Sequence, residues 1–217
     1  MKERGMIFNG EMVLARLDGR KTQTRRPVKL PHTDRDAMCE LSGNELAGEL
    51  SAGNYRNSPH GKPGDRIWVR ETFQGPLFDF DLMDSYCKDP TPFERPEFCV
   101  YKADGAPAPE FYDADDELHC RWRPSIHMPR WASRILLEIT DVRVERLNAI
   151  SQEDAQAEGM ELTGWRPTYS DPDSGGEVMT PYDNFAELWS SIYGDESWKA
   201  NGWVWVISFK RVEGGAA

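Results

Sequence analysis

Residues 134 to 147 read RILLEITDVRVERL, and the spacing of their apolar side chains decides what kind of chain this is. Ile135, Leu137 and Ile139 recur at every second position, the period of a strand with one buried face. The apolar phase then switches to Val142 and Val144. A switch of phase within one strand predicts a bulge or bend near Asp141, which suits a strand that wraps around a small barrel.

Working outward, the following residues 150 to 159, ISQEDAQAEG, read as a short helix. Ser151 and Asp154 approximate a capping box, and Gly159 ends it. DNFAELWSSIYG places Phe185, Leu188, Trp189 and Ile192 at helical spacing and stops at Gly194. WVWVISFKRV, from 203 onward, is apolar at almost every position, as expected of a strand buried on both faces. Toward the N-terminus, Gly64-Asp65 turns into RIWVRETF, where Ile67 and Val69 alternate with Trp68 and Arg70. Earlier still, GEMVLARLDG reads as a helix capped by Asn9, stapled by Phe8 to Val13 and stopped by Gly19. Residues 22 to 26 form a strand ended by Pro27. Strands broken by three short helices, without regular βαβ alternation, predict an α+β domain built on a small barrel. The stretches 30–63, 75–120 and 161–181 are rich in Gly, Pro, Asn and Asp and read as insertions in a single domain of 217 residues. The second of them carries one plausible strand, Phe98 to Lys102.

The formal charge of −11 opposes a broad salt-driven nucleic-acid surface and leaves room for a focused basic pocket. Two basic stretches stand out against it. One is 16–29, with Arg16, Arg20, Lys21, Arg25, Arg26 and Lys29; the other is 121–134, with Arg121, Arg123, Arg130 and Arg134. No apolar run approaches the roughly 20 residues that span a bilayer, and the N-terminal residues carry no apolar signal core, so a cytoplasmic protein is expected. The four cysteines form no CxxC pair, and no spacing matches a zinc site. The dinucleotide, P-loop, zincin and serine-hydrolase motifs are absent from the sequence, so no cofactor or metal is expected.

Three features bear on chemistry. The first is GRKTQTRR, residues 19 to 26. Lys21 and Thr24 are three apart, and regular strand geometry sends them to opposite faces unless the turn after Gly19 places Lys21 ahead of the pleat. The stretch is either a solvated strand edge or a site that gathers a lysine, hydroxyls and anion contacts. The second is Glu158, a carboxylate at the end of a helix where the macrodipole disfavours it. It is solvated, paired with a cation such as Lys21, or partly protonated and available for proton transfer. The third is RWRPSIHMPRWASR, residues 121 to 134, whose Trp122, Trp131 and arginines either belong to the core or stack bases and contact phosphates.

The order of these pieces, with G-x-K-T-x-T-x-R at 19–26 as its most specific part, resembles the ASCH family and, within it, the larger phage and prophage members. The resemblance covers roughly 6–29, 64–74, 131–160 and 182–213. It implies a PUA-like β-barrel. It also implies hydrolysis of an acyl amide on a modified nucleobase, nucleoside or nucleotide, as in the small N4-acetylcytidine amidohydrolases of the family, with Lys21, Thr24 and Glu158 as catalytic residues. Thr24 would attack the carbonyl, Lys21 would deprotonate it or stabilise the oxyanion, and Glu158 would move protons to the leaving amine. Arg25, Arg26, Arg70 and Trp131 are the candidate substrate contacts. Other family members are proposed to bind RNA or are reported as ribonucleases, so the alternative is a non-catalytic reader of RNA or single strands. A phage factor that meets a host protein through its acidic insertions is a third option, without a motif behind it. No membrane partner is expected.

Overall fold

The computed structural model describes residues 1–112, 117–160 and 179–212; the insertion expected at 161–181 falls almost wholly outside them. Five strands make the main sheet: β1 (Glu3–Ile7), β2 (Gln23–Pro27), β3 (Arg66–Arg70), β4 (Leu136–Arg146) and β5 (Trp203–Arg211). Six α-helices accompany them among the described residues: α1 (Gly10–Leu17), α2 (Gly43–Ser51), α3 (Met83–Lys88), α4 (Gln152–Ala157), α5 (Pro181–Tyr193) and α6 (Asp195–Lys199). The class is α+β, and the sheet is mixed, in the order β1-β3-β4-β5-β2. β1 runs parallel to β3, while β3 with β4 and β5 with β2 are antiparallel.

The chain divides into two compact units. The first comprises Met1–Leu17, Gly64–Glu138 and the chain from Lys210; the second comprises Asp18–Pro63 and Ile139–Phe209.

In the first unit, the Asn9 side chain accepts from the Met12 amide at 2.8 Å, which starts α1 as its sequence predicts. Phe8 and Val13 are both buried, as a hydrophobic staple requires. Ile67 and Val69 of β3 turn inward, and Trp68 and Arg70 remain half-buried. β1 approaches closely because Gly5 lies opposite Trp68: a Cβ there would come within 2.7 Å of the indole. The described residues of 75–120 hold short 3-10 turns, α3 and small ladders. The strand expected at 98–102 shrinks to Val100–Tyr101, because 3-10 turns at Pro96–Phe98 and Lys102–Asp104 close in on both sides. Tyr101 joins Phe73, Met128 and Ala132 in a buried cluster against which Trp131 packs.

In the second unit, Leu147, Ile150, Ala155, Phe185, Trp189, Val204 and Val206 form one cluster, which packs α4 and α5 against one face of β5. The other face presents Trp205, with the rings of His32 and His60 edge-on at 5.8 and 5.7 Å. Residues 30–63 are therefore not a bare loop. They include α2, opened by a capping box in which Ser42 and Glu45 satisfy each other's backbone amides. The phase switch expected near Asp141 is present: Ile135, Leu137 and Ile139 are buried, Thr140 is exposed, and burial resumes at Val142 and Val144. Among the described residues no helix is long and apolar enough to cross a membrane.

Candidate functional site

The short helix α4 ends at Ala157, and its last carbonyls have no partners within the helix. The amides of Glu158, Gly159 and Met160 return to the carbonyls of Asp154, Gln156 and Ala155, and three consecutive residues of the GRKTQTRR stretch donate to the carbonyls of Ala157 and the two residues beyond it. The Arg20 guanidinium donates to the Gly159 carbonyl at 3.4 Å, the Lys21 ammonium to the Glu158 carbonyl at 3.0 Å, and the Thr22 amide to the Ala157 carbonyl at 2.7 Å. Cations at a helix C-terminus are also favoured by the dipole. Gly19 and Gly159, with φ of 79° and 97°, make the two turns that bring these segments together.

Lys21 Nζ lies 2.5 Å from Glu158 Oε2, and the two side chains are 0% and 3% exposed. Of the readings open for Glu158, pairing with Lys21 is the one the geometry adopts. Burial pulls the Lys21 pKa below the ordinary lysine value of 10.5; Glu158 opposes this, and the nearby Arg26 and Arg25 add to it.

Arg25 extends the pair into a network. Its Nη1 donates to Gln23 at 2.5 Å and to Glu158 Oε1 at 3.4 Å, and its Nη2 to Glu145 at 2.6 Å and Asp154 at 2.8 Å. Arg143 closes the ring on Glu145 and Asp154 at 3.1 and 2.6 Å. The cations Lys21, Arg25 and Arg143 thus face the anions Glu145, Asp154 and Glu158, three against three. Burial of charge is tolerable only with such pairing. The Arg25 guanidinium also lies over the Phe185 ring at 5.7 Å.

Thr24 is placed differently. The register sets Gln23 opposite Ser208, Thr24 opposite Ile207 and Arg25 opposite Val206. Alternation along β2 therefore projects Gln23 and Arg25 from one face and Thr24 from the other. Thr24 is buried, at 1% exposure, on the face that also carries Arg26 and Trp205. The structure brings Lys21, Glu158 and Arg25 together and sends Thr24 away from Arg25.

Arg25 is committed to internal partners, whereas Arg26 is half-buried. Arg70 and Trp131 belong to the first unit. Arg70 stacks over Trp68 at 5.3 Å and donates to the Ile126 carbonyl; Trp131 lines a cavity.

Arg143, Glu145 and Asp154 were not foreseen as site residues. A signal existed, since VRVER alternates charge with valine and so gathers Arg143 and Glu145 on one strand face. A second ion cluster, in which only Glu71 is buried, was also unforeseen. Arg134 grips Glu71 through Nε and Nη2 at 2.9 and 3.0 Å and Asp104 through Nη1 and Nη2 at 2.9 and 2.8 Å, lying 3.9 Å over the Tyr101 ring. Burial works against the Arg134 charge, and the two carboxylates more than offset it.

No family model, curated protein or solved structure matches this chain.

Proposed function

We propose that this chain hydrolyses an acyl amide on a modified nucleobase, nucleoside or nucleotide, with Lys21 and Glu158 as the reactive pair. The observation that carries the reading is the 2.5 Å contact between a lysine of lowered pKa and a carboxylate, both withdrawn from solvent. A charge so desolvated acts strongly on whatever replaces its partner. In this scheme Glu158 takes a proton from the nucleophile and passes it to the leaving amine, and Lys21 stabilises the oxyanion. The placement of Thr24 across the strand favours water over its hydroxyl as nucleophile. Closure of the pair sets a condition: the Glu158 end of α4 must yield for a substrate to enter. The ASCH assignment and its PUA-like barrel belong to the same proposal, supported by the order of elements and the G-x-K-T-x-T-x-R stretch.

The test is incubation of the purified chain with N4-acetylcytidine while its absorbance is followed. Turnover is expected, and Lys21→Met or Glu158→Gln lowers it at least about a hundredfold, the lower range for acid–base groups. Absence of turnover, or turnover indifferent to both substitutions, refutes it. The complete burial of Lys21 favours a second reading, a reader of RNA or single strands without catalysis. That reading expects salt-dependent oligonucleotide binding, weakened by Arg26→Ala or Arg123→Ala, and no loss of acetyl groups.

A further inference from the structure

The first unit contains a cavity of about 310 Å³ lined by Glu94, Arg95, Pro96, Glu97, Arg130, Trp131 and Ser133. That volume lies at the lower end of the roughly 300–1,000 Å³ usual for small-molecule sites. Trp131 packs against the buried Phe73–Tyr101–Met128–Ala132 cluster, so its indole is anchored where it meets the cavity. Among the described residues the solvent-exposed Arg95, Glu94 and Glu97 side chains and the Trp131 indole N–H make no hydrogen bond or ion pair to another protein group. Arg130 spends its Nε on Glu3 at 3.0 Å, which leaves its terminal nitrogens available. One small space therefore collects an aromatic face, two guanidinium groups and two acceptor-only carboxylates.

These groups describe a complementary ligand. The indole calls for a flat ring. The guanidinium groups call for an anion, and phosphate suits their forked donors. The carboxylates call for adjacent hydrogen-bond donors and would repel a phosphate or a lone pair. Of the common bases only guanine offers two neighbouring donors, N1–H and N2–H, on its pairing edge. Adenine and cytosine place an acceptor beside their amino group, and uracil flanks its single N–H with carbonyls. We propose that this cavity binds a guanine nucleotide, with the base against Trp131, its donor edge toward Glu94 or Glu97, and the phosphate on Arg95 and Arg130. The site lies wholly within the first unit, shares no residue with the Lys21–Glu158 network, and does not depend on the amide-hydrolysis reading.

Calorimetric titration of the full chain at low salt tests it, with GMP, AMP, CMP, guanosine and inorganic phosphate as probes. GMP is expected to bind once per chain, at least about tenfold more tightly than AMP or guanosine, the scale of a charge-assisted contact. Arg95→Ala should bring GMP down to the affinity of guanosine. Glu94→Gln with Glu97→Gln should erase the preference for GMP over AMP. Trp131→Phe, which keeps an aromatic packed on the cluster, should retain binding, and Trp131→Ala should weaken it. Absence of saturable GMP binding at millimolar concentration, equal binding of GMP and AMP, or indifference to Arg95→Ala overturns the assignment. Loss of GMP binding in a folded Lys21→Met variant would overturn it too, by moving the ligand to the other unit.

Discussion

Asp154 serves two masters: its amide completes the Ser151 cap of α4, while its carboxylate receives Arg25 and Arg143. Burial pushes its pKa up, but Arg143, Arg25 and Gln23 together hold it below the usual 3.8. The folded state therefore binds fewer protons here than the unfolded state. The stability this confers is complete above pH 3.8 and is lost as the pH falls through the lowered folded value. Comparing urea midpoints of the parent and Asp154→Asn between pH 7 and pH 2 should show a shallower acid loss in the variant; identical slopes would remove Asp154 from the acid limb. At this scale the sequence was half legible. Lys21 and Glu158 stood out through a motif and a misplaced charge, because each lies at a recognisable helix or turn boundary. Asp154 was read only as a cap, because its partners Arg25 and Arg143 are 129 and 11 residues away.

Among the elements, α2 shows how local and tertiary signals divide. Ser42 and Glu45 form its capping box, yet the Gly and Asn around them read as loop. What makes Gly43 useful appears only in three dimensions. An added Cβ would come within 2.2 Å of the Trp203 indole, so the helix docks on β5 only with glycine there. Gly43→Ala is expected to cost about 1–3 kcal/mol, the range for overpacking, although alanine is the better helix former. A thermal melt settles this, and an unchanged or higher midpoint would show that Trp203 moves aside. The helices α1, α4 and α5 were legible because caps and i, i+4 spacing are written within a dozen residues. The strand at 98–102 was overestimated because flanking 3-10 turns, not its own propensity, set its length.

The molecule as a whole is two units woven from one chain. The backbone passes between them after Leu17, Pro63, Glu138 and Phe209, and β4 belongs to both. A fragment of residues 64–138 therefore lacks β1, the parallel partner of β3, and is expected to remain unfolded. Dispersed amide resonances from that fragment alone would contradict this. The sequence by itself determined the α+β class, the long strand with its phase switch at Asp141, the caps of α1 and α4, the stop of α5 at Gly194, and the suspicion that Lys21 and Glu158 matter. These rest on periodicity and on hydrogen bonds between near neighbours. Only the tertiary structure decided that residues 20–22 meet the carbonyls of residues 157–159, at and just past the end of α4, from more than 130 positions away, that Thr24 lies across the strand from Arg25, and that Arg95 and Trp131 share one cavity. Those facts depend on which strand pairs with which and in what register, and a one-residue slip in pairing, invisible to composition or spacing, would reverse every face.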